Sequence, residues 1–187
     1  MKKVSIILAI ICVIEICNVV SAQEMRFLGI PFGTESRVFN QELINKGFKW
    51  ITATSSWSEK TYKAELEGDF WKVRNCKIRL YSYSCDDVKN SCPISEALVI
   101  LHVDGLQAED FANLYKELIS DFETKYGNFS ETKELASGQT TIWHLKNGDI
   151  VVDRVLCIGF RIKYVSSIRL KQIEEENRFK GNGSSDL

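Results

Sequence analysis

The stretch Cys76-Lys77-Ile78-Arg79-Leu80-Tyr81 sets Cys76, Ile78 and Leu80 against Lys77, Arg79 and Tyr81 with a period of two. Successive side chains of a β-strand point to opposite faces, so this alternation predicts a strand with one apolar, packed face and one solvated face. It belongs to a longer run, Phe70 to Ser84, within a series of strand-like segments from Phe48 to Val103. Phe48 to Thr54 comes first, then a Ser-rich turn at Ser55 to Glu59, then Thr61 to Leu66, with Gly68 before the next run. Ala97 to Val103 is more continuously apolar, which predicts a central strand covered on both faces. His102 lies in that run and is expected to be a hydrogen-bonded core residue.

Two helices frame these strands. Gln107 to Tyr126 places Phe111, Leu114, Tyr115, Leu118, Phe122 and Tyr126 three and four residues apart, the spacing of one helical face. Glu109 and Asp110 suit the positive end of its dipole, and Gly127 ends it. Earlier, a short strand at Met25 to Ile30 and the turn Pro31-Phe32-Gly33 lead to a helix from about Glu35 to Lys46. Thr34 or Ser36 is the expected cap and Gly47 the stop. After the long helix, Thr140 to Leu145 and Asp149 to Val155 form a hairpin across Lys146-Asn147-Gly148, and a last strand runs through Ile158, Phe160, Ile162 and Tyr164. A polar helix follows from Ser166 to about Phe179, and residues 181–187 have nothing to bury and are expected to be disordered. The order predicts an α+β fold, an antiparallel sheet with helices packed on one side. Both halves run from a helix into antiparallel strands, the pattern that a diverged internal duplication leaves.

The chain has 187 residues and opens with Lys2 and Lys3, a largely apolar run from Val4 to Val20, and Val20-Ser21-Ala22. These are the parts of a secretory signal peptide, residues 1–22, cut before Gln23. Glu15 and Asn18 interrupt the run, so it is not read as a transmembrane anchor, and no membrane span is expected after cleavage. Residues 23–180 then form a single domain, secreted or periplasmic. Its slightly acidic balance argues against nucleic acid as a partner. In an oxidising compartment Cys76, Cys85, Cys92 and Cys157 form two disulfides by default. Three pairings are open. Cys85 and Cys92 bracket the polar turn Asp86 to Ser91, so their pairing would staple a hairpin, which leaves Cys76 and Cys157 to pair across the sheet.

Chemistry is sparse. His102 and His144 are the only imidazoles, and a Cys–His nucleophile would need one of them beside a reduced thiol. No C-x2-C or H-x3-H pair suggests a metal, no cofactor motif occurs, and alternating Glu65, Glu67 and Asp69 are expected to face solvent rather than form a glycosidase pair. Aromatics are the residual clue. Trp57 stands in Ser55-Ser56-Trp57-Ser58-Glu59, a polar setting that predicts an exposed ring suited to anchoring a partner, and Tyr81 and Tyr83 join it as candidate binding residues.

Phe27-Leu28-Gly29-Ile30-Pro31-Phe32-Gly33, Lys46-Gly47-Phe48, Gly68-Asp69-Phe70 leading to Asn75-Cys76, Lys125-Tyr126-Gly127 and Gly148-Asp149-Ile150 together resemble a family of short exported proteins of gut anaerobic bacteria. Tyr115 and Leu118 of the long helix fit as well. The family often has an acid just after the tyrosine of the last strand, where this chain has Tyr164-Val165-Ser166. The resemblance implies an exported single domain with no assigned activity.

The expected function is a non-enzymatic binding module for a protein, peptide or glycan partner. Its alternatives are an inhibitor presenting the stapled Cys85–Cys92 loop, and a small hydrolase or thiol enzyme gathering His102 or His144 with Cys157 or a carboxylate.

Overall fold

The computed structural model describes residues 25–182 apart from 104, 136–137 and 156–158, and of residues 179–182 the backbone alone. The expected signal peptide, Cys157 and residues 183–187 of the expected tail lie outside the described residues. A two-stranded hairpin, β1 (Arg26–Phe27) and β2 (Ile30–Pro31), precedes helix α1 (Ser36–Asn45). Four strands follow: β3 (Lys49–Ser56), β4 (Thr61–Phe70), β5 (Val73–Ser82) and β6 (Glu96–His102). The second half repeats the order with α2 (Ala108–Tyr126), β7 (Glu131–Leu135), β8 (Gly138–Leu145), β9 (Gly148–Val155) and β10 (Gly159–Ser166), and α3 (Ser167–Asn182) ends the chain.

Each set of four strands is an antiparallel meander, and the last strands of the two sets, β6 and β10, pair antiparallel from Gly159↔His102 to Val165↔Glu96. One eight-stranded sheet results, in the order β3-β4-β5-β6-β10-β9-β8-β7. The α+β fold and the repeated helix-plus-meander order read from the sequence are both present.

A single row of cross-strand partners shows how the core is built. Trp50, Leu66, Ile78, Val99, Ile162, Val152, Thr141 and Thr132 succeed one another from β3 to β7. The middle of this row is fully buried, because Phe39 and Leu43 of α1 and Tyr115, Leu118 and Phe122 of α2 belong to the same apolar cluster. Tyr115 also spans to Thr141 by a 2.9 Å hydroxyl–hydroxyl hydrogen bond, and the Trp143 indole donates to the Gly127 carbonyl at 2.9 Å, fixing the C-terminal end of α2 over the sheet. Gly68 is required by contact: a Cβ there would stand 2.3 Å from the Phe48 ring.

Several expectations need correction. α1 is not capped by the side chain of Thr34 or Ser36; its N-cap is Glu35, with no side-chain capping bond, because that carboxylate is used elsewhere. β6 is not fully covered on both faces: Ala97, Val99 and Leu101 are buried, Leu98 and Ile100 are only partly buried on the face away from α1 and α2, and His102 is exposed rather than part of the core. The Cys76 bridge is not formed. Cys76 carries a free thiol on the buried face of β5, with Sγ 3.2 Å from the Val73 carbonyl, and burial pushes its pKa up. The last helix runs to Asn182, beyond the expected end at Phe179. No helix among the described residues is long and apolar enough to cross a membrane.

If the row through the sheet carries the fold, Ile162→Ala, at 0 % exposure, should cost about 3 kcal/mol in urea unfolding. Ile142→Ala, half-buried on the opposite face, should cost about 1 kcal/mol. Similar losses for the two would show that the second face is packed as well.

Candidate functional site

Three separate segments meet beside the N-terminus of α1: the start of that helix, the β3–β4 hairpin and the stapled loop. Cys85 and Cys92 form a disulfide, with Asp86 and Ser91 pairing inside it across the turn. Glu35 ties this loop to the helix. Its carboxylate accepts from the Ser91 hydroxyl and, at 3.0 Å, from the Cys92 amide, while the Ser36 amide donates to the Cys92 carbonyl at 3.0 Å. The Cys85 amide donates to the Lys60 carbonyl at 3.0 Å, which fastens the loop to the β3–β4 turn. The sequence fold at this corner therefore depends on one acid taken from capping duty and one covalent staple.

Between these segments lies a groove of about 540 Å³. Trp50, Trp57, Tyr62 and Val38 supply its apolar surface, and Glu35, Arg37, Lys89 and Asn90 its polar rim. Trp50 and Trp57 are 44 % and 41 % exposed, far above what rings of that size show in a core. Asn40, only 5 % exposed, is part of the wall; its amide donates to the Tyr62 hydroxyl at 2.6 Å, and its Oδ1 is buried with no partner among the described residues. Burial raises the Tyr62 pKa against the opposing hydrogen bonds from Asn40 and Ser36, so the phenol stays protonated. A buried amide oxygen without a donor is costly.

β3 adds a second feature to this corner. It is an edge strand, and every residue from Lys49 to Ser55 is exposed. A bulge between Trp50 and Thr52 disturbs its first part, but Thr52-Ala53-Thr54-Ser55-Ser56 is uncharged and open along its outer side. The opposite edge, β7, carries Glu131, Lys133 and Glu134 in five residues, the charges that discourage strand addition. One edge is guarded and the other is not.

Of the residues singled out by sequence, Trp57 and the Cys85–Cys92 loop come together here. Tyr81 and Tyr83 do not. They stack on each other at 6.1 Å on the other side of the sheet, and the Arg169 guanidinium lies 3.7 Å from the centre of the Tyr83 ring. Burial pushes the Tyr83 pKa up to about 12, with Glu96 adding to the rise. Trp50, Tyr62, Asn40 and Glu35 were not foreseen, since their association depends on contacts between distant segments. His144 stands on β8, its Nδ1 3.0 Å from Asp149; that hydrogen bond, with Glu131 nearby, raises its pKa. His102 ends β6, and both imidazoles are exposed, whereas the Cys76 thiol is buried on the helix-covered face, so no histidine meets it. Glu65 faces the solvated side between Arg79 and Lys77; the Arg79 hydrogen bond at 2.8 Å holds its carboxyl below the usual range. Among the described residues no group of three or more His, Cys, Asp or Glu is placed to hold a metal ion.

Compared with protein-family models, curated proteins and solved structures, the chain matches none.

Glu35→Ala should lower stability by about 1–2 kcal/mol, because it leaves the Ser91 and Cys92 donors unpaired. Opening the eight-residue disulfide ring should cost about 2.5 kcal/mol by the loop-entropy relation. Both act on one loop, so the two losses measured together should fall short of their sum. Strict additivity in denaturant unfolding would show that Glu35 does not position the stapled loop.

Proposed function

We propose that this protein is an exported, non-enzymatic recognition module, secreted or periplasmic, that binds an extended peptide segment of a protein partner. The segment would lie along β3 with its side chains in the Trp50–Trp57 groove. The observation that carries this reading is the grouping of two exposed tryptophans with Tyr62 directly beside an unguarded sheet edge. Main-chain hydrogen bonds to an open edge give affinity to any extended chain, and pockets beside it select side chains. Large rigid aromatic rings contribute contact area at low entropic cost. The Cys85–Cys92 disulfide and the sequence's leader-like start support a place outside the cytoplasm. Membership of the exported family is part of the same reading.

One observation favours a second reading. Val88, at the tip of the stapled loop, is 91 % exposed, an apolar side chain held out on a rigid hairpin as an inhibitor would present it to an enzyme cleft.

Peptide display against the full domain, with Trp57→Ala as the counter-target, separates these. The proposal predicts enrichment of extended, β-prone sequences that bind Trp57→Ala at least ten-fold more weakly, about 1.4 kcal/mol, and bind Val88→Ala unchanged. Peptides indifferent to Trp57, or a glycan array whose hits depend on Trp57 when no peptide does, would overturn the peptide reading. Dependence on Val88 alone would favour the inhibitor.

A further inference from the structure

β7, the guarded edge of the sheet, has five residues, four of them exposed, so it buries almost nothing of its own. Its attachment rests on the ladder to β8 and on side chains gathered on the face away from α2. His144 of β8 is the centre of that group. Its Nδ1 lies 3.0 Å from the carboxylate of Asp149, its cross-strand partner on β9, and its Nε2 lies 3.5 Å from the carboxylate of Glu131 on β7. One imidazole thus spans three strands. Its backbone amide adds to the attachment, donating to the Ser130 hydroxyl at 2.9 Å.

The two carboxylates act differently, because only one of them leaves with β7. Asp149 stays on the β8–β9 hairpin whether or not β7 is attached, and it holds Nδ1–H as a donor. Nε2 then decides the contact with Glu131. In the neutral ring it turns a lone pair toward a carboxylate and gains nothing, whereas in the imidazolium it carries a proton and attracts that carboxylate. Asp149 first, and Glu131 after it, raise the His144 pKa. The other charges on this face are Lys133 of β7, 3.0 Å from the same Glu131 oxygen, Asp153 of β9, which accepts from Thr140 at 2.6 Å, and Lys163 of β10, 3.4 Å from Glu96; Lys146 stands in the turn after β8. Lys133 holds the Glu131 carboxyl below its usual range and stays charged itself, so His144 is the member of the group that titrates near neutrality.

We propose that His144 is a pH-operated clasp on the guard strand: the imidazolium bridges Asp149 and Glu131 and holds β7 to the sheet, and the neutral ring releases Glu131 and lets β7 open. The contribution of the clasp is fully present below the pKa that His144 has with β7 detached. It is lost as pH rises through the higher value that His144 has with Glu131 alongside. What β7 covers gives the device its consequence. β8 has no charged side chain other than His144 itself, so opening β7 removes Glu131, Lys133 and Glu134 from the edge and presents an uncharged strand in their place. Below the transition the sheet has one open edge, β3; above it a second becomes accessible. The clasp lies at the edge opposite the Trp50–Trp57 groove and does not depend on the peptide reading.

Amide exchange of the full domain, corrected for the intrinsic effect of pH, tests this at about pH 5.5 and about pH 8, on either side of the imidazole range, with the His144 ring titrated by NMR in the same samples. Between the two, protection of the β7 amides should fall about two- to five-fold further than that of β6, the worth of one solvent-exposed ion pair. His144→Gln should remove the difference. Glu131→Gln should remove it too while His144 still titrates above the ordinary imidazole value, because Asp149 remains. Asp149→Asn should move the ring titration and the loss of protection together to lower pH, a shift that a merely structural role for Asp149 would not produce. Equal protection of β7 at both pH values, a pH dependence that survives His144→Gln, or one that ignores Asp149→Asn would each overturn the proposal.

Discussion

The pairing of β6 with β10 is the constraint on which the rest of the structure depends. Each half of the chain supplies one helix and a four-stranded meander, and neither meander could bury its apolar face with a single helix and leave no second apolar edge exposed. Joining them along β6 and β10 places the two most buried strands at the centre and lets Val99 and Ile162 face each other beneath both helices. It also decides which strands become edges: β3 and β7, the strands farthest from the seam. The close approach at the end of this seam explains Gly159, where a Cβ would stand 1.9 Å from the Leu101 carbonyl oxygen and φ is +144°. A larger residue could not end the ladder there.

The candidate binding surface follows from that arrangement. With two helices committed to one face, the other carries charged side chains of both signs, Glu65 and Glu67 opposite Arg79 and Lys77 and Asp153 opposite Arg161. With β3 at an edge and α1 beside it, the helix start, the hairpin turn and the stapled loop converge on Trp50 and Trp57. The stapled loop is held by a short network through Glu35 rather than by burial of a large apolar surface, as expected of a recognition loop fixed by a disulfide and a few polar contacts.

How much of this was legible in the chain depended on whether the signal was local. The period of two through Cys76, Ile78 and Leu80 and the helical spacing from Phe111 to Tyr126 report burial directly, and both elements stand as read. Lys146-Asn147-Gly148 marks its hairpin by turn chemistry alone. β7 carries no strand signal of its own, because Glu131-Thr132-Lys133-Glu134-Leu135 has no apolar alternation; it is a strand only through its pairing with β8. The apolar run Ala97 to Val103 was read as doubly covered because composition reports what a strand could bury, not what the fold provides. An even number of cysteines suggested two bridges, yet Cys76 faces the packed interior as a free thiol. Trp57 was legible from its polar neighbours, whereas Asn40, Tyr62 and Glu35 acquire their roles only when segments far apart in sequence meet.

Amide hydrogen exchange of the full domain, read residue by residue, tests the central claim most directly: a closed seam at β6 and β10 and an open edge at β3. The account predicts the slowest exchange along β6 and β10, opening only with global unfolding, and fast exchange at the outward-facing amides of Thr52 to Ser56. Protection of those β3 amides equal to that of β5, or a seam that opens while the two meanders stay protected, would contradict it.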